Sequence, residues 1–511
     1  MPGCFLKFIK MEYLQNISPR KYQQDIFETC KDKNCLVVLP TGLGKTLIAL
    51  MLAIERMKKF PEEKIVFLAP TRPLAEQHME YFKKNLPELF ASMELFTGKT
   101  DSEKRQELWQ NTDIVFSTPQ CIENDLKNGL YDLRGVSLLI VDECHRCLKN
   151  YAYAFITKNY NDAAEYPRVL GLTASPGHEK SKVDEIARNL SIEAIEVRTR
   201  ESEDVKEYIQ ELNFEVVKLD FPEEFESIRQ NLKRMLDIKV EELKHRKLLF
   251  GPANKKTLLD TQHNIMRAIA SGNKHFNLLL GASACAQALK IQHSLELLET
   301  QTLSSLQEYF NGLFKDAKEG KSKAVSNLVK QQEFNQAYIK LMELIAKKVE
   351  HPKLIKLKEI VENELKDNPK FRVIIFAQFR DSVTKICKTM NEISGINARV
   401  FVGQAKKKET GMSQREQQEL VHDFILGKIN VLVATQIAEE GLDIPEVNAV
   451  IFYEPIPSAI RKIQRAGRTA RLMKGKLIML VTKKTRDEAY YWSAVNKEKK
   501  MYELLGKMKF N

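Results

Sequence analysis

An α/β fold of two parallel-sheet domains with an all-helical insertion between them is predicted by three features of the chain. Apolar runs of strand type alternate with helical periods from residue 35 to about 205, and again from about 371. That alternation is the pattern of a doubly wound parallel sheet. Between about 215 and 350 the strand signal gives way to long helical periods, as in Leu278, Leu279, Ala282, Ala286, Leu289, Leu295 and Leu298. A glycine-rich segment and an acidic one each follow an apolar run directly, which puts them at the carboxyl ends of buried strands, where such sheets bind ligands. The expected domains are 1–205, 206–350 and 351–511, in keeping with 511 residues at roughly 150 residues per domain.

Taken in order, a lead-in ends in a helix over 19–30 that delivers Arg20 and Gln23 to a first strand at 35–39. Strands near 64–69, 113–117, 136–141 and 168–172 and helices near 45–59, 72–86 and 119–128 complete the first domain. Strands at 373–376, 398–402, 431–434, 449–453 and 476–481 build the second. The polar face of the insertion carries Lys244, His245, Arg246, Lys247, Lys255, Lys256 and the lysines of 315–323. A charged face is the default for any surface helix, so these cations read equally as solvated and as contacts to a polyanion.

Composition narrows the class. Apolar residues make up 43% and charged residues 29%, as in an ordinary globular protein, and the net charge of +12 favours a polyanionic partner, nucleic acid first. Eight cysteines show no framework spacing, which fits a reducing compartment. No apolar run reaches about 18 residues, and residues 1–9 are too short and too lysine-containing for a secretory signal. A cytoplasmic location is expected, at the nucleoid in a prokaryote or in the nucleus of a eukaryote.

Two segments carry nucleotide chemistry. In Leu39-Pro40-Thr41-Gly42-Leu43-Gly44-Lys45-Thr46 the glycines permit a tight loop whose backbone N–H groups surround phosphates. Lys45 reaches the β- and γ-phosphates, and the Thr46 hydroxyl ligates Mg2+. Leu39 stands where the general pattern has its first glycine. In Val141-Asp142-Glu143-Cys144-His145, Asp142 is placed to hold Mg2+ and Glu143 to orient and deprotonate the attacking water. The arginines of Gln464-Arg465-Ala466-Gly467-Arg468-Thr469-Ala470-Arg471 lie more than 400 residues after Lys45, a separation that predicts a second domain closing on ATP.

Together with Thr173-Ala174-Ser175, Thr118-Pro119-Gln120 and the run from Thr435 to Gly441-Leu442-Asp443, these segments resemble the ordered motifs of superfamily 2 helicases. The insertion, Phe401-Val402-Gly403-Gln404, Met412-Ser413-Gln414-Arg415 and the run Phe452 to Pro457 resemble the archaeal Hef helicase and its Fanconi anaemia M relatives. The resemblance implies two RecA-like domains and an ATP-dependent helicase or translocase acting on forked or four-way DNA in repair, with the insertion helping to grip the junction. It implies that Gln23, with Arg20 beside it, reads the adenine edge, and that Gly441 and Asp443 lie at the ribose. Gln464 would face the γ-phosphate and Arg468 and Arg471 would act as arginine fingers, typically worth roughly 10³ to 10⁵ in rate. His145, Thr173 and Ser175 would couple hydrolysis to domain movement. Thr71, Arg72, Thr97, Gly98, Thr118, Gln378, Gly403, Gln404 and Thr435 are the implied backbone contacts to nucleic acid, joined by Lys244, Arg246 and Lys247 on the insertion. Cys144 stands where Hef has alanine and Ala470 where glycine is usual, both small beside the reactive groups. Hef also carries a nuclease region after the helicase, so either this sequence is the helicase portion or the nuclease is a separate partner.

A second reading is a duplex-RNA-activated ATPase of the RIG-I and Dicer type, which shares the acidic motif and an inter-domain helical insertion; a third is an idle nucleic-acid scaffold. Bland readings account for the remainder. The Cys144 to Cys147 spacing lacks the second pair that zinc requires. Lys406, Lys407 and Lys408 read as a solvated loop, and Tyr490, Tyr491 and Trp492 as packing of a terminal helix.

Overall fold

The structure, a computed structural model, describes residues 13–149, 151–199, 202–208, 213–273, 275–403, 412–435, 447–455 and 476–508. Its first sheet contains β1 Cys35–Val38, β2 Lys64–Leu68, β3 Met93–Phe96, β4 Ile114–Ser117, β5 Val136–Val141, β6 Val169–Thr173 and β7 Ala194–Val197. They lie in the order β3-β4-β2-β5-β6-β1-β7, every pairing parallel. Parallel neighbours need crossovers, and helices on both faces bury both sides of each central strand. That is why β1, β4, β5 and β6 are apolar almost throughout and buried at every residue.

The second sheet contains β8 Asn213–Leu219, β9 Val373–Phe376, β10 Ala398–Phe401, β11 Val431–Ala434, β12 Ala449–Phe452 and β13 Lys476–Thr482. Its order is β10-β11-β9-β12-β13-β8, again all parallel. The strand β8 corrects the expectation that residues 206–350 are all helical. It runs the full length of β13 as an edge strand, with Glu215 and Lys218 among residues that are half or fully exposed. An edge strand packed on one side needs no continuous apolar run, so its signal is weak.

The insertion proper is a bundle of helices Glu223–His245, Lys255–Ala270, Phe276–Thr300, Leu303–Lys318, Lys323–Val329 and Gln332–Ala346, closed around Phe225, Leu232, Leu295, Phe310 and Phe334. A polar joint fastens it to the second sheet domain. Lys353 and Asp487 are both fully buried with Nζ 2.8 Å from Oδ2, and Nζ also donates to the Thr300 carbonyl. Around them Ser382 donates to Gln301 at 2.7 Å, and Arg486 pairs with Glu299 at 3.0 Å. A buried ion pair is weak as a source of net stability, but breaking it is costly. Its effect here is to set one register between bundle and sheet.

Candidate active site and nucleic-acid face

The nucleotide chemistry gathers at the carboxyl ends of β5, β6 and β1, three neighbouring strands. After β1, Gly42 and Gly44 take left-handed φ values of 89° and 76°, conformations that glycine adopts at no steric cost. A Cβ on Gly44 would also fall 2.3 Å from Gln23 Nε2. The Gln23 amide and the Tyr22 hydroxyl both donate to the Leu43 carbonyl, at 3.0 and 2.8 Å, so the helix Lys21–Asp32 clamps the loop as it delivers Arg20 and Gln23. The loop then turns into helix Lys45–Lys59, whose first residues are Lys45 and Thr46; Thr41 lies between the strand end and the first glycine. Lys45 Nζ donates to the Leu39 carbonyl at 3.0 Å.

At the end of β5, Asp142 is buried, and its main chain is held by Leu68 O and by the Tyr153 hydroxyl at 2.8 Å. Burial works to raise its carboxyl, but the hydrogen bond from His78 and the charges around it, Lys45 included, hold it below the usual carboxylate range. Glu143 follows at φ 47°, ψ 45°. A non-glycine residue in that region costs of order 1–3 kcal/mol and marks functional sites. His145 Nδ1 lies 3.2 Å from Glu143 Oε2 and 3.2 Å from Thr173 Oγ1. The Thr173 hydroxyl donates to Ser175 O and accepts from Ser175 N, both at 3.1 Å, while Leu39 N donates to Thr173 O. The three candidate coupling residues thus form one connected chain from the carboxylate to the strand that leads into the phosphate loop.

Hard oxygen donors at Thr46 and Asp142 suit Mg2+ better than a softer ion, and one imidazole touches both: His78 reaches Asp142 at 2.9 Å and Thr46 at 3.4 Å. Sequence reading missed His78, since no motif spacing marks it. Among the described residues no group of three or more His, Cys, Asp and Glu could hold a metal. Cys144 and Cys147 are free and buried, and burial pushes the Cys147 thiol up to about 12.

The candidate nucleic-acid residues fall elsewhere on the same edge. Thr71, Thr97 with Gly98, and Thr118 follow β2, β3 and β4, which are consecutive in the sheet. Gln378, Gly403 and Thr435 follow β9, β10 and β11, consecutive in the second sheet. A buried Arg105–Asp125 pair, also missed, supports the Thr97 loop: Arg105 Nε donates to Asp125 at 2.7 Å and its guanidinium to the carbonyls of Thr97 and Thr100. Among the described residues the buried side-chain atoms Thr71 Oγ1 and Arg72 Nε and Nη1 find no hydrogen-bond partner.

Several of the insertion cations are paired. Lys244 pairs with Glu241, Arg246 with Glu242 and Lys255 with Glu296, whereas no ion pair engages Lys247 or Lys256 among the described residues. Tyr490 packs toward Glu296, Tyr491 against the second core, and Trp492 is half exposed. Gln404, Gly441, Asp443, Gln464, Arg468 and Arg471, with Lys406 to Lys408, lie outside the described residues.

Residues 20–183 match the DEAD/DEAH box helicase family, 353–473 the helicase conserved C-terminal domain, and 224–351 a family described as "Putative ATP-dependent RNA helicase, helical bundle". The chain is 40% identical over 495 residues to a Methanocaldococcus jannaschii protein named "Putative ATP-dependent RNA helicase MJ1505", covering 97% of this chain and 61% of that protein. It is 33% identical to the Neurospora crassa "ATP-dependent DNA helicase mph1" over 94% of this chain and 42% of the relative. With the mouse "Fanconi anemia group M protein homolog" it shares 33% identity over 95% of this chain and 26% of the relative. The chain therefore spans only part of these curated relatives. The crystal structure of the Pyrococcus furiosus Hef helicase domain superposes with a TM-score of 0.72 at 43% identity, covering 93% of this chain and 98% of that one. With two parallel sheets, a helical bundle between them in sequence and a candidate nucleotide site at the carboxyl ends of the first sheet's strands, this chain belongs to the superfamily 2 helicases of the Hef and Fanconi anaemia M type.

Proposed function

We propose that the protein is an ATP-driven motor on forked or branched DNA. The observation that carries this reading is the alignment of Thr71, Thr97 and Thr118 on three consecutive strands of one sheet and of Gln378, Gly403 and Thr435 on three of the other. Strands in a sheet are about 4.8 Å apart, so each set spans roughly 10 Å, enough to follow a backbone. Hydroxyl, amide and main-chain donors suit phosphates and do not read bases, which gives tracking without sequence preference. Among the described residues two Arg72 donors lack a partner, a cost that a phosphate would offset.

In the ATP site the loop 41–46 would cradle the phosphates, Lys45, now on Leu39 O, would serve them, and Thr46 and Asp142 would hold Mg2+. The ion's chemistry there is to neutralise phosphate charge. Glu143 orients and deprotonates water, and His145, Thr173 and Ser175 sense the outcome. By the family resemblance Gln464, Arg468 and Arg471 would supply the γ-phosphate contacts, and Arg20, Gln23, Gly441 and Asp443 would hold the nucleoside. The grip of the insertion on a branch is assigned to Lys247 and Lys256, which among the described residues join no ion pair, unlike their neighbours Lys244, Arg246 and Lys255. A repair nuclease is the partner class that fits such a motor. Strand displacement on a three-strand fork tests the reading: ATP must support it and a non-hydrolysable analogue must not. The duplex-RNA reading draws support from the names of one relative and of the helical-bundle family.

A further inference from the structure

The helix Arg72–Asn85 faces two ways. Thr71 stands at its N-cap position, without a side-chain capping bond, and Arg72 opens it, on the candidate nucleic-acid face. Six residues on, His78 turns into the ATP site, 9% exposed, its ring packed 4.5 Å from that of Phe67. A carboxylate only accepts, so the nitrogen 2.9 Å from Asp142 Oδ2, Nε2, carries the proton that serves it. A neutral ring then offers Nδ1 as acceptor to the Thr46 hydroxyl 3.4 Å away. This arrangement draws the hydroxyl proton toward the imidazole. The Thr46 oxygen and the second Asp142 oxygen keep lone pairs for a metal.

We propose that His78 is a positioning residue that orients both Mg2+ ligands and makes their orientation depend on whether the nucleic-acid face is occupied. The proposal rests on the reading of Thr71 and Arg72 as phosphate contacts. At 1.5 Å of rise per residue, Arg72 and His78 stand about 9 Å apart along one rigid helix. A phosphate docking on the first turn shifts that helix, and the imidazole moves with it against Asp142 and Thr46. The topology suits this link. The helix follows β2, and β2 lies between β4, which carries a candidate nucleic-acid residue, and β5, which carries Asp142. Outer-shell partners of metal ligands are typically worth about 10- to 100-fold in metal affinity or activity.

The test compares wild type, His78→Ala and His78→Gln in two measurements. The first is Mg2+ titration of the binding of a fluorescent non-hydrolysable ATP analogue, without turnover. The second is the factor by which forked DNA raises ATPase. For His78→Ala we expect unchanged metal-free nucleotide affinity, a half-saturating Mg2+ concentration raised by about 10- to 100-fold, and a stimulation factor that falls toward one. Glutamine, whose amide N–H can take the place of Nε2–H, restores much of the Mg2+ dependence. Wild-type Mg2+ dependence and wild-type stimulation in His78→Ala overturn the proposal. Loss of metal-free nucleotide binding in both variants, with a lowered melting temperature, also overturns it and leaves His78 a packing residue. If forked DNA fails to stimulate the wild-type enzyme, the proposed substrate is wrong, and the Mg2+ titration decides the positioning role by itself.

Discussion

The Ser175 hydroxyl lies 2.8 Å from the Met501 sulfur, joining the candidate coupling motif of the first sheet domain to the helix Arg486–Met508. Met501 is 1% exposed, packed in the same cluster as Tyr153 and Ile186 of that domain. The start of the same helix is pinned to the second domain by Asp487 and Lys353. One helix therefore connects the candidate ATP site with the body that carries the insertion, and its anchors differ in kind: one polar and fully enclosed, the other largely apolar, with Met501 buried and Tyr502 packed beside it.

Replacing the apolar anchor tests that connection. A buried Met→Ala change typically costs about 2–5 kcal/mol, and Met501→Ala is expected to lower the first thermal transition and separate it from unfolding of the rest of the molecule. Differential scanning calorimetry reads this directly. A single transition at the wild-type temperature would show that Met501 holds nothing.

The proposed role of Glu143 as base rests on its place beside Asp142 at the end of β5. Glu143→Gln keeps the shape and removes the base, so ATP binding persists while turnover falls by about 10²-fold or more. Lys45→Ala instead weakens nucleotide binding. Steady-state turnover of Glu143→Gln close to wild type would remove it from the catalytic role.

How much of this was legible in the sequence depended on burial. The strand Val136–Val141 is apolar but for Ser137 and buried at every residue, so its run is unmistakable. The edge strands Met93–Phe96 and Ala194–Val197 keep only their last residues fully buried, which erases the run. Asn213–Leu219 was hidden for the same reason and joins a sheet whose next strand in sequence comes after the whole insertion. Lys45, Asp142 and Glu143 stand out as candidates in the sequence because phosphate and metal chemistry fix such spacings within loops, and the structure puts them after β1 and β5, the two strands that flank β6. His78 and the Arg105–Asp125 pair do not stand out, because their meetings depend on which helix follows which strand, a tertiary fact that no local pattern carries.

A pH dependence follows from Glu296, in the insertion. Burial works to raise its carboxyl, but His293 and Lys255 outweigh it and bring it down to about 2 from an ordinary 4.5. A depressed folded-state value means stability that is present above the unfolded value near 4.5 and is lost as pH falls toward 2. Since Lys255 is half exposed, solvent screening limits the contribution to about 1–2 kcal/mol. Glu296→Gln should therefore be less stable than wild type at neutral pH and converge with it on acidification. A constant difference in urea midpoint from pH 6 down to pH 3 contradicts this.

Lys247 and Lys256 carry the proposed grip on a branch. Changing both to alanine is expected to weaken binding to forked and four-way DNA more than to single strands, and to leave basal ATPase unchanged. The slope of log affinity against log salt should fall by about 1 for each lysine lost. Equal weakening on every substrate would reduce the pair to a general electrostatic patch.

The central claim, a motor whose ATPase answers to branched DNA, is tested most directly by ATPase stimulation across single-stranded, duplex, forked and four-way DNA and the matching RNAs at one fixed salt concentration. Forked and four-way DNA should stimulate turnover most, since only they engage the sheet edges and the insertion together. Stronger stimulation by duplex RNA than by forked DNA would contradict the account and assign the protein to the RNA-activated ATPases.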